Sequence, residues 1–382
     1  MAAGQSRGSR WGVHLAVLVF VVLWTIPTLG ILVSSFRDRD QIIVSGWWEA
    51  LTTSAQTDAA RLAGGEEEVE RDGAFVIEGD ITEEDDPRTV TRFGVTVREP
   101  RKFEAGTVAQ LDDGEALSID ADGVYRHTSP VSFGDSRGQR VYFEASTPPE
   151  FTTENYQNVL FSEGIGRSFI NSLTVTIPAT IIPILIAAFA AYALAWMRFP
   201  GRAILIAVVI GLLVVPLQMT LIPLLKLYNG VGAFFGLPSK TYLGIWLAHT
   251  GFGLPFAVFL LRSYMAGLPK ELMESARIDG ASDFEIFVKI VLPLSFPVLA
   301  SFAIFQFLWV WNDLLVAMVF LGSSADQLVL TGKLNALLGS RGGDWEILTA
   351  SAFVTIVVPL IVFFSLQRYF VRGLLAGSVK GG

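Results

Sequence analysis

The sequence predicts an all-α polytopic membrane protein with six transmembrane helices and a β-rich insert between the first and the second of them. Two features of the composition favour this class: 52% of the residues are hydrophobic and only 17% are charged. A soluble protein of this length would carry about 25% charged residues. A third feature is a series of apolar runs, each close to the roughly 20 residues that a helix needs to cross a bilayer. The absence of cysteine excludes disulfides, thiolate metal sites and cysteine nucleophiles.

The charged residues are concentrated in one part of the chain. Residues 38–154 contain 26 acidic and 11 basic residues, whereas the remainder contains 10 acidic and 17 basic residues. An acidic, hydrophilic segment therefore interrupts an apolar and mildly basic chain. The net charge of −8 indicates no basic surface for nucleic acid. His14, His127 and His249 are too scattered to predict a metal site.

The first apolar run, residues 13–36, follows Arg7 and Arg10, as a signal peptide would. Its apolar core is longer than the roughly 7–15 residues of a signal peptide, and no clear small-x-small cleavage site follows it. It is interpreted as a retained anchor, with cleavage as the alternative. Five further spans are predicted after the acidic segment, at residues 169–197, 203–228, 242–261, 291–321 and 348–370.

The distribution of Lys and Arg predicts the orientation of the spans. The basic residues near span ends fall on one side if there are six spans: Arg7, Arg10, Arg198, Arg202, Arg262, Lys270, Arg277, Lys289, Arg368, Arg372 and Lys380. By the positive-inside rule, both termini are cytoplasmic and the acidic segment is outside. The predicted organisation is therefore a cytoplasmic N-terminus and first span (1–37), an extracytoplasmic insert (38–150) and a five-helix core (151–382).

Proline is frequent in the predicted spans. Every span from the second onward contains or adjoins a proline, for example Pro178, Pro183, Pro216, Pro223, Pro255, Pro293, Pro297 or Pro359. Because proline kinks helices, the pattern suits a transporter that opens a cavity. The alternative is that proline is simply commoner in membrane helices.

The cytoplasmic loop between spans 4 and 5 has a distinct local pattern. Pro269 can begin a helix, Gly280 can end it, and Ser282 with Glu285 matches a capping box for a second helix. The loop is therefore predicted to be helix, glycine turn, helix. Apolar residues are assigned to one face of each helix: Leu272, Met273 and Ala276 on the first, and Phe284, Phe287, Val288 and Val291 on the second. Such a face can bind a partner or pack on the protein's own bundle.

The same loop resembles the EAA loop of ABC importer permeases, whose motif reads E-A-A-x3-G-x9-I-x-L-P. The matching positions are Glu274, Ser275, Ala276, Gly280, Ile290, Leu292 and Pro293, and the single departure is Ser275 in place of alanine. The resemblance implies that residues 263–290 couple the permease to a cytoplasmic ATPase. It further implies that Glu274, Ala276, Asp279 and Gly280 carry the docking. The glycine is predicted to allow a backbone turn that a side chain would obstruct.

Other segments are similar to the maltose-type branch of this family. They are residues 151–156, 166–172, 309–315 and the tail at 367–381, so that the resemblance covers residues 11–37 and 151–382. It implies the type I ABC importer permease fold, transport of a sugar by alternating access, and a location in the cell membrane. The implied partners are an ATPase dimer, a second permease subunit and an extracytoplasmic solute-binding protein. The tail at 377–381 is expected to reach the ATPase, and the large insert resembles the alpha-glucoside permease subunits.

The chain is not expected to be an enzyme. It has no G-x-x-x-x-G-K-[ST] loop for ATP, so that no cofactor is expected on this chain and a partner subunit would hydrolyse ATP. The segment Gly134 to Gly138 matches G-x-S-x-G around Ser136, but a strand-like run follows it where a nucleophile elbow needs a helix. Two alternative functions are a membrane-anchored ligand sensor whose loop recruits a signalling protein, and an intramembrane enzyme using Ser136 or Asp313.

Polar residues within the spans are candidates for a translocation path. Asp313 is the most costly to place in a membrane, and Asn312, Trp309 and Trp311 lie beside it. The tryptophans could stack on the apolar face of a sugar. Gln306, Gln218, Thr220, His249 and Thr250 are further polar positions. The alternative is that all these groups form hydrogen bonds between helices.

The insert is predicted to be a small β-rich domain. Strand-like runs occur at residues 75–77, 89–98, 106–111 and 140–145. Part of the start of the insert, residues 52–65, is expected to be helical or disordered. The acidic runs Glu66–Glu70 and Glu83–Asp86 are expected to be loops. The insert either contacts the solute-binding protein or has no role in transport.

Overall fold

The computed structural model describes residues 7–71, 73–82, 88–238 and 240–378, and the chain divides into two compact units. One unit comprises Met1–Asn155 with Asp344–Thr349, and the other comprises Tyr156–Gly343 with Ala350–Gly382. The acidic run at 83–86 and Lys380 lie outside the described residues.

The first unit begins with a long helix and continues into a β domain. Its helices are α1 (Arg7–Ser35) and α2 (Arg39–Val44), followed by a 3-10 turn at Trp47–Glu49. Its strands are β1 (Ser54–Arg61), β2 (Val69–Arg71), β3 (Ala74–Asp80), β4 (Thr89–Gly94), β5 (Phe103–Glu104), β6 (Val108–Gln110), β7 (Ala116–Ile119), β8 (Val124–Ser129) and β9 (Arg140–Thr147).

The strands form two antiparallel sheets, in the orders β1-β9-β4-β5 and β2-β3-β8-β7-β6. Alternate residues of β9 are buried, as expected for strands with one face against a core. Phe93 and Phe143 from the first sheet and Ile77 and Leu117 from the second belong to one buried cluster. The insert therefore has its own hydrophobic core, independent of the membrane spans.

Residues 52–65 differ from the sequence prediction, because they contain strand β1 and not a helix. β1 pairs with β9 over its whole length, from Ser54 opposite Thr147 to Arg61 opposite Arg140. This strand contains three alanines and an aspartate, which have low β propensity. The cross-strand pairing to β9 overrides that local preference.

The ends of the insert are tied together at its base. Asn155 donates its side-chain N–H groups to the carbonyls of Ser35 (3.1 Å) and Arg37 (2.9 Å). Gln41 donates to the carbonyl of Pro148 (2.8 Å) and accepts from the backbone N–H of Glu150 (3.2 Å). The chain thus leaves α1 and returns from β9 at one hydrogen-bonded junction.

The second unit is helical. Its helices are α3 (Glu154–Gln157), α4 (Ile165–Trp196), α5 (Arg202–Leu212), α6 (Leu217–Phe234), α7 (Tyr242–Met265), α8 (Lys270–Ile278), α9 (Asp283–Ile286), α10 (Leu292–Leu294), α11 (Phe296–Asn312), α12 (Leu315–Phe320), α13 (Leu330–Ser340) and α14 (Trp345–Ser378). The first residues of α3 and of α14 belong to the first unit. Two π-helical turns lie at Asn158–Ser162 and Phe287–Val291. Small residues of α4 and α7 are buried within the bundle, including Ala179, Ala187, Ala257 and Gly253. Such residues let membrane helices approach closely.

Four helices of the described residues are long and apolar enough to cross a membrane, and two bent helix pairs would raise the number to six. The four are Trp11–Ser35, Ile165–Trp196, Tyr242–Met265 and Trp345–Tyr369. The bent pairs are α5 with α6, at 111°, and Asp283–Leu294 with α11, at 69°.

The predicted third and fifth spans are therefore not continuous helices. The third breaks before Pro216, whose ring disfavours helical backbone in the preceding residue. The fifth bends at Ser295, between Pro293 and Pro297, and ends at Asn312 because Asp313 is extended (ψ 105°). The break before Pro216 and the end of α11 at Asn312 place irregular backbone at residues that line the clefts described below.

Candidate functional site

The first half of the loop that was predicted to couple to an ATPase is helix α8, closed by a glycine turn. Gly280 has a φ of +83°. The N–H of Ala281 donates to the carbonyl of Ala276 (2.9 Å), which is the bond of a Schellman cap. No described atom lies within 4 Å of a Cβ built at position 280. The predicted turn is confirmed, but its requirement for glycine comes from the backbone conformation and not from obstruction of a side chain.

The second half of the loop begins with the predicted capping box. The N–H of Glu285 donates to Ser282 Oγ (3.3 Å), and the N–H of Ser282 donates to Glu285 Oε2 (3.0 Å). Lys289 forms an ion pair with Glu285 (3.0 Å), and Arg277 reaches across the turn to Asp283 (3.1 Å). The angle between the two loop helices is thus fixed by local hydrogen bonds and ion pairs.

One face of the loop packs on its own helical bundle. Met273, Ile286, Phe287 and Val291 are buried in a cluster that α4 and α7 also supply. The ring of Phe287 contacts that of Tyr192 at a centroid distance of 5.2 Å. The loop is therefore seated on the bundle through these side chains.

The opposite face of the loop is exposed. Ile278 and Phe284 expose 86% and 65% of their surface. Leu272 and Val288 are also exposed, so that the predicted faces were wrong for these two and for Phe284. On α8 the physical reason is that Leu272 and Met273 are adjacent, about 100° apart on a helix of 3.6 residues per turn, so that only Met273 points into the bundle.

The seven residues at the motif positions and Asp279 fall on both faces. Glu274, Ser275, Asp279, Gly280 and Pro293 are exposed; Ala276, Ile290 and Leu292 are half-buried and pack against the buried cluster. The polar half of the motif is thus presented outward beside Ile278, and the apolar half holds the loop on the bundle. The exposed face of the loop is therefore of mixed polar and apolar character.

A cleft of about 560 Å³ contains three of the four residues predicted for a translocation path. Its lining residues are Leu217, Gln218, Trp309, Asn312, Asp313, Leu314 and Leu315. Asp313 accepts a hydrogen bond from the N–H of Val316 (3.0 Å) and so caps α12. Asn312 donates to the carbonyl of Leu308 (2.8 Å). The cleft combines an indole, an amide and a carboxylate, which are groups suited to a polyhydroxylated ligand.

A second cleft of about 540 Å³ shares Trp309 and Leu217 with the first. It is mainly apolar, and Thr220 and Gln306 contribute polar groups. Gln306 is buried and donates to the carbonyls of Ala179 (3.1 Å) and His249 (3.4 Å). These bonds join α4, α7 and α11. Gln306 therefore forms hydrogen bonds between helices, which was the alternative to a role in a translocation path.

Trp311 lies apart from these clefts. It is only 2% exposed, and its indole N–H donates to the carbonyl of Thr355 on α14 (3.0 Å). Its ring stacks on Phe307 (5.7 Å, 13°) and meets Phe169 edge-on (5.9 Å). The structure thus separates the two tryptophans of the predicted path: Trp309 faces a cleft, and Trp311 packs α4, α11 and α14 together.

Polar contacts near the start of α4 were not anticipated from the sequence. Asn171 donates to the carbonyls of Asp326 (2.9 Å) and Leu328 (3.0 Å) and accepts from the hydroxyl of Tyr242 (2.9 Å). These bonds fix the segment between α12 and α13 on α4. An asparagine within an apolar run was the available signal for such a contact.

The G-x-S-x-G segment is a turn. Gly134 and Gly138 have positive φ values, and strand β9 follows at Arg140. A nucleophile elbow requires a helix after the serine. The turn around Ser136 therefore does not match the strand–turn–helix geometry of a nucleophile elbow.

Comparison with known proteins places this architecture in a family. Residues 168–375 match the profile of the binding-protein-dependent transport system inner membrane component family. The alpha-glucoside transport system permease protein AglG of Rhizobium meliloti (strain 1021) is 68% identical over 372 residues, covering 97% of both chains. The osmoprotective compounds uptake permease protein GgtD of Synechocystis sp. (strain ATCC 27184 / PCC 6803 / Kazusa) is 42% identical and covers 96% of this chain and 91% of its own. A crystal structure of a bacterial ABC transporter for import of the polysaccharide alginate has 22% identity and a TM-score of 0.49 and covers 59% of this chain and 81% of that chain.

A bundle of apolar, partly broken helices with a helical loop seated on it is the fold of a multi-pass membrane permease. The chain belongs to the family of binding-protein-dependent transport system inner membrane components. The predicted membership of the ABC importer permeases and the predicted type I permease fold are thereby confirmed.

Proposed function

We propose that this chain is one permease subunit of an ABC importer for an alpha-glucoside. The observation that carries the substrate class is the 68% identity, over 97% of both chains, to a permease named for alpha-glucoside transport. The loop at 263–290 supports the assignment to an ABC importer, because its exposed face can bind a partner subunit and its buried face packs on α4 and α7.

In this proposal the protein has six spans, with each bent helix pair forming one of them. Both termini and the loop at 263–290 are cytoplasmic, since the basic residues gather on that side. An ATPase dimer binds the exposed Glu274, Ile278 and Asp279. ATP closes that dimer, and the loop passes the movement through Met273 and Phe287 to α4 and α7. Binding energy that differs between two conformations drives the alternating access.

The chain itself binds no ATP in this proposal, and it requires a second permease subunit and an extracytoplasmic binding protein. The cleft at Trp309, Asn312 and Asp313 lines the path. The indole packs against the apolar face of a pyranose, and the amide and carboxylate hydrogen-bond to its hydroxyls. Trp311 is left out of the path because it is buried among helices.

Uptake assays test the substrate class. A strain that lacks this chain should fail to accumulate radiolabelled maltose or trehalose from micromolar concentrations, and the intact gene should restore accumulation. Arabinose, which contains no glucoside, is the control sugar. Normal alpha-glucoside uptake in the deletion strain would refute the proposal for this substrate.

The insert, residues 38–150, is proposed to contact the binding protein on the outer side. Its charge supports this role, because a strongly acidic surface steers the encounter with a basic partner. The alignment to GgtD covers 96% of this chain and therefore includes most of the insert. The insert is thus shared with a permease named for the uptake of osmoprotective compounds, as a docking domain would be.

Replacing residues 55–146 by Asn-Gly tests this role. Ser54 and Thr147 are paired on neighbouring strands, so that a two-residue turn can join them and leave the base of the insert intact. We expect a several-fold weaker apparent affinity for the loaded binding protein and less dependence of uptake on salt. Transport with unchanged affinity and rate would show that the insert has no docking role.

A further inference from the structure

The segment that joins α1 to the β domain is unlike the rest of the insert. Residues 41–57 contain one charged residue, Glu49, whereas residues 38–154 contain 37. Four large apolar side chains of this segment are exposed: Ile43, Val44, Trp48 and Leu51. Trp48 and Leu51 expose 71% and 81% of their surface. An acidic, soluble domain thus has a local apolar patch at its base, formed by these four residues.

The chain folds back along α1 at this point. A Cβ built on Gly30 would lie 2.8 Å from Nε1 of Trp47, so that the indole packs directly on the helix backbone there. Gly30 lies five residues before the end of α1 at Ser35. At 1.5 Å per residue, the contact is about 7.5 Å below the end of the helix. Trp47 therefore lies at the depth of the last two turns of the first span.

The fold-back is held by a buried cation. Arg37 is 2% exposed, and its guanidinium donates to the carbonyls of Gln41 (2.9 Å), Ser45 (2.9 Å) and Gly46 (3.1 Å). Burial lowers the pKa of Arg37 from its usual value. An arginine remains charged under such conditions, and its fixed fork of donors orders the loop immediately before Trp47. These hydrogen bonds thus fix the position of the apolar patch relative to the end of α1.

We propose that the apolar patch is embedded in the interfacial layer of the bilayer, next to the end of the first span opposite the N-terminus. Continuity favours lipid as the occupant, since the adjoining helix exposes apolar residues from Trp11 to Ile26 and has no charged residue between Arg10 and Arg37. Tryptophan is enriched at this layer, and apolar faces enter it by about 5–10 Å. The patch anchors the base of the insert on the membrane surface, independently of what the insert binds.

Fluorescence quenching tests this assignment. The chain contains no cysteine, so that a single introduced cysteine is its only thiol for bimane, and the transporter with the unaltered chain gives the background from the other subunits. The test positions are Trp48→Cys and Leu51→Cys, and the controls are Val97→Cys and Val131→Cys, which are exposed elsewhere in the β domain. The full transporter is reconstituted in phosphatidylcholine–phosphatidylglycerol vesicles, and the quenchers are a lipid with a nitroxide near the headgroup and aqueous iodide.

We expect the lipid nitroxide to quench labels at 48 and 51 at least threefold more than labels at 97 and 131, with the opposite order for iodide. Equal lipid quenching at all four positions would overturn the proposal. Protection of positions 48 and 51 from both quenchers would also overturn it, because another polypeptide would then cover the patch. Since no transport is measured, the outcome is independent of the substrate assigned above.

Discussion

Replacing Gly280 by proline is expected to reduce uptake to the level of a strain without this chain, while the protein remains in the membrane. Gly280 has a φ of +83°, whereas the proline ring fixes φ near about −65°. The turn between α8 and α9 would be lost, and with it the alignment of Glu274 and Asp279 on the exposed face of the loop.

Asparagine at position 280 is the matched control. Asparagine tolerates the left-handed region, and there is room for its side chain because no described atom lies within 4 Å of a Cβ at this position. Gly280→Asn should therefore retain most of the uptake, and the ATPase should co-purify with it but not with Gly280→Pro. Wild-type uptake by the proline variant would show that the coupling role assigned to this loop is wrong.

Truncating Trp311 to alanine should have the largest effect on stability. Removing a buried tryptophan typically costs about 3–5 kcal/mol, and the carbonyl of Thr355 would lose its donor. Trp311→Phe keeps a ring against Phe307 but loses the hydrogen bond, worth about 0.6 kcal/mol, and the volume of the second ring of the indole. The alanine variant should thus show a much lower yield and melting temperature in detergent, and the phenylalanine variant should lie between it and wild type.

Trp309→Ala is the comparison that separates packing from transport. Trp309 is half-buried and lines both clefts, so that its loss should leave the yield nearly normal and lower the rate of uptake. The two alanine variants are thus expected to fail in different measurements. A stable, well-folded Trp311→Ala protein without uptake would contradict this assignment and place Trp311 in the translocation path.

The loop between spans 4 and 5 was predictable because its structure depends on local chemistry. Pro269, Gly280 and the Ser282–Glu285 pair act within a few residues of their own positions. Gly280 and the capping box have their predicted roles, whereas Pro269 is the N-cap, one residue before the helix begins. The faces of the two helices were less predictable. Which side of α8 is buried depends on where α4 and α7 lie, and the pattern of Leu272 and Met273 does not contain that information.

Elements that depend on distant partners show the same limit. Strand β1 forms because β9, almost 80 residues later, supplies its hydrogen bonds. Trp309 and Trp311 are two residues apart on α11, about 200° around the helix. The positions of α4 and α14 decide that Trp311 is enclosed. Arg37 was not anticipated at all, since its partners are backbone carbonyls, which no side-chain pattern reveals.

Gentle purification of this chain from its native membrane, with every associated protein identified by mass, tests the central claim most directly. The account predicts that a cytoplasmic ATPase and a second, different permease are recovered in stoichiometric amounts. Recovery of the chain alone, or with a kinase-like signalling protein in place of an ATPase, would contradict it.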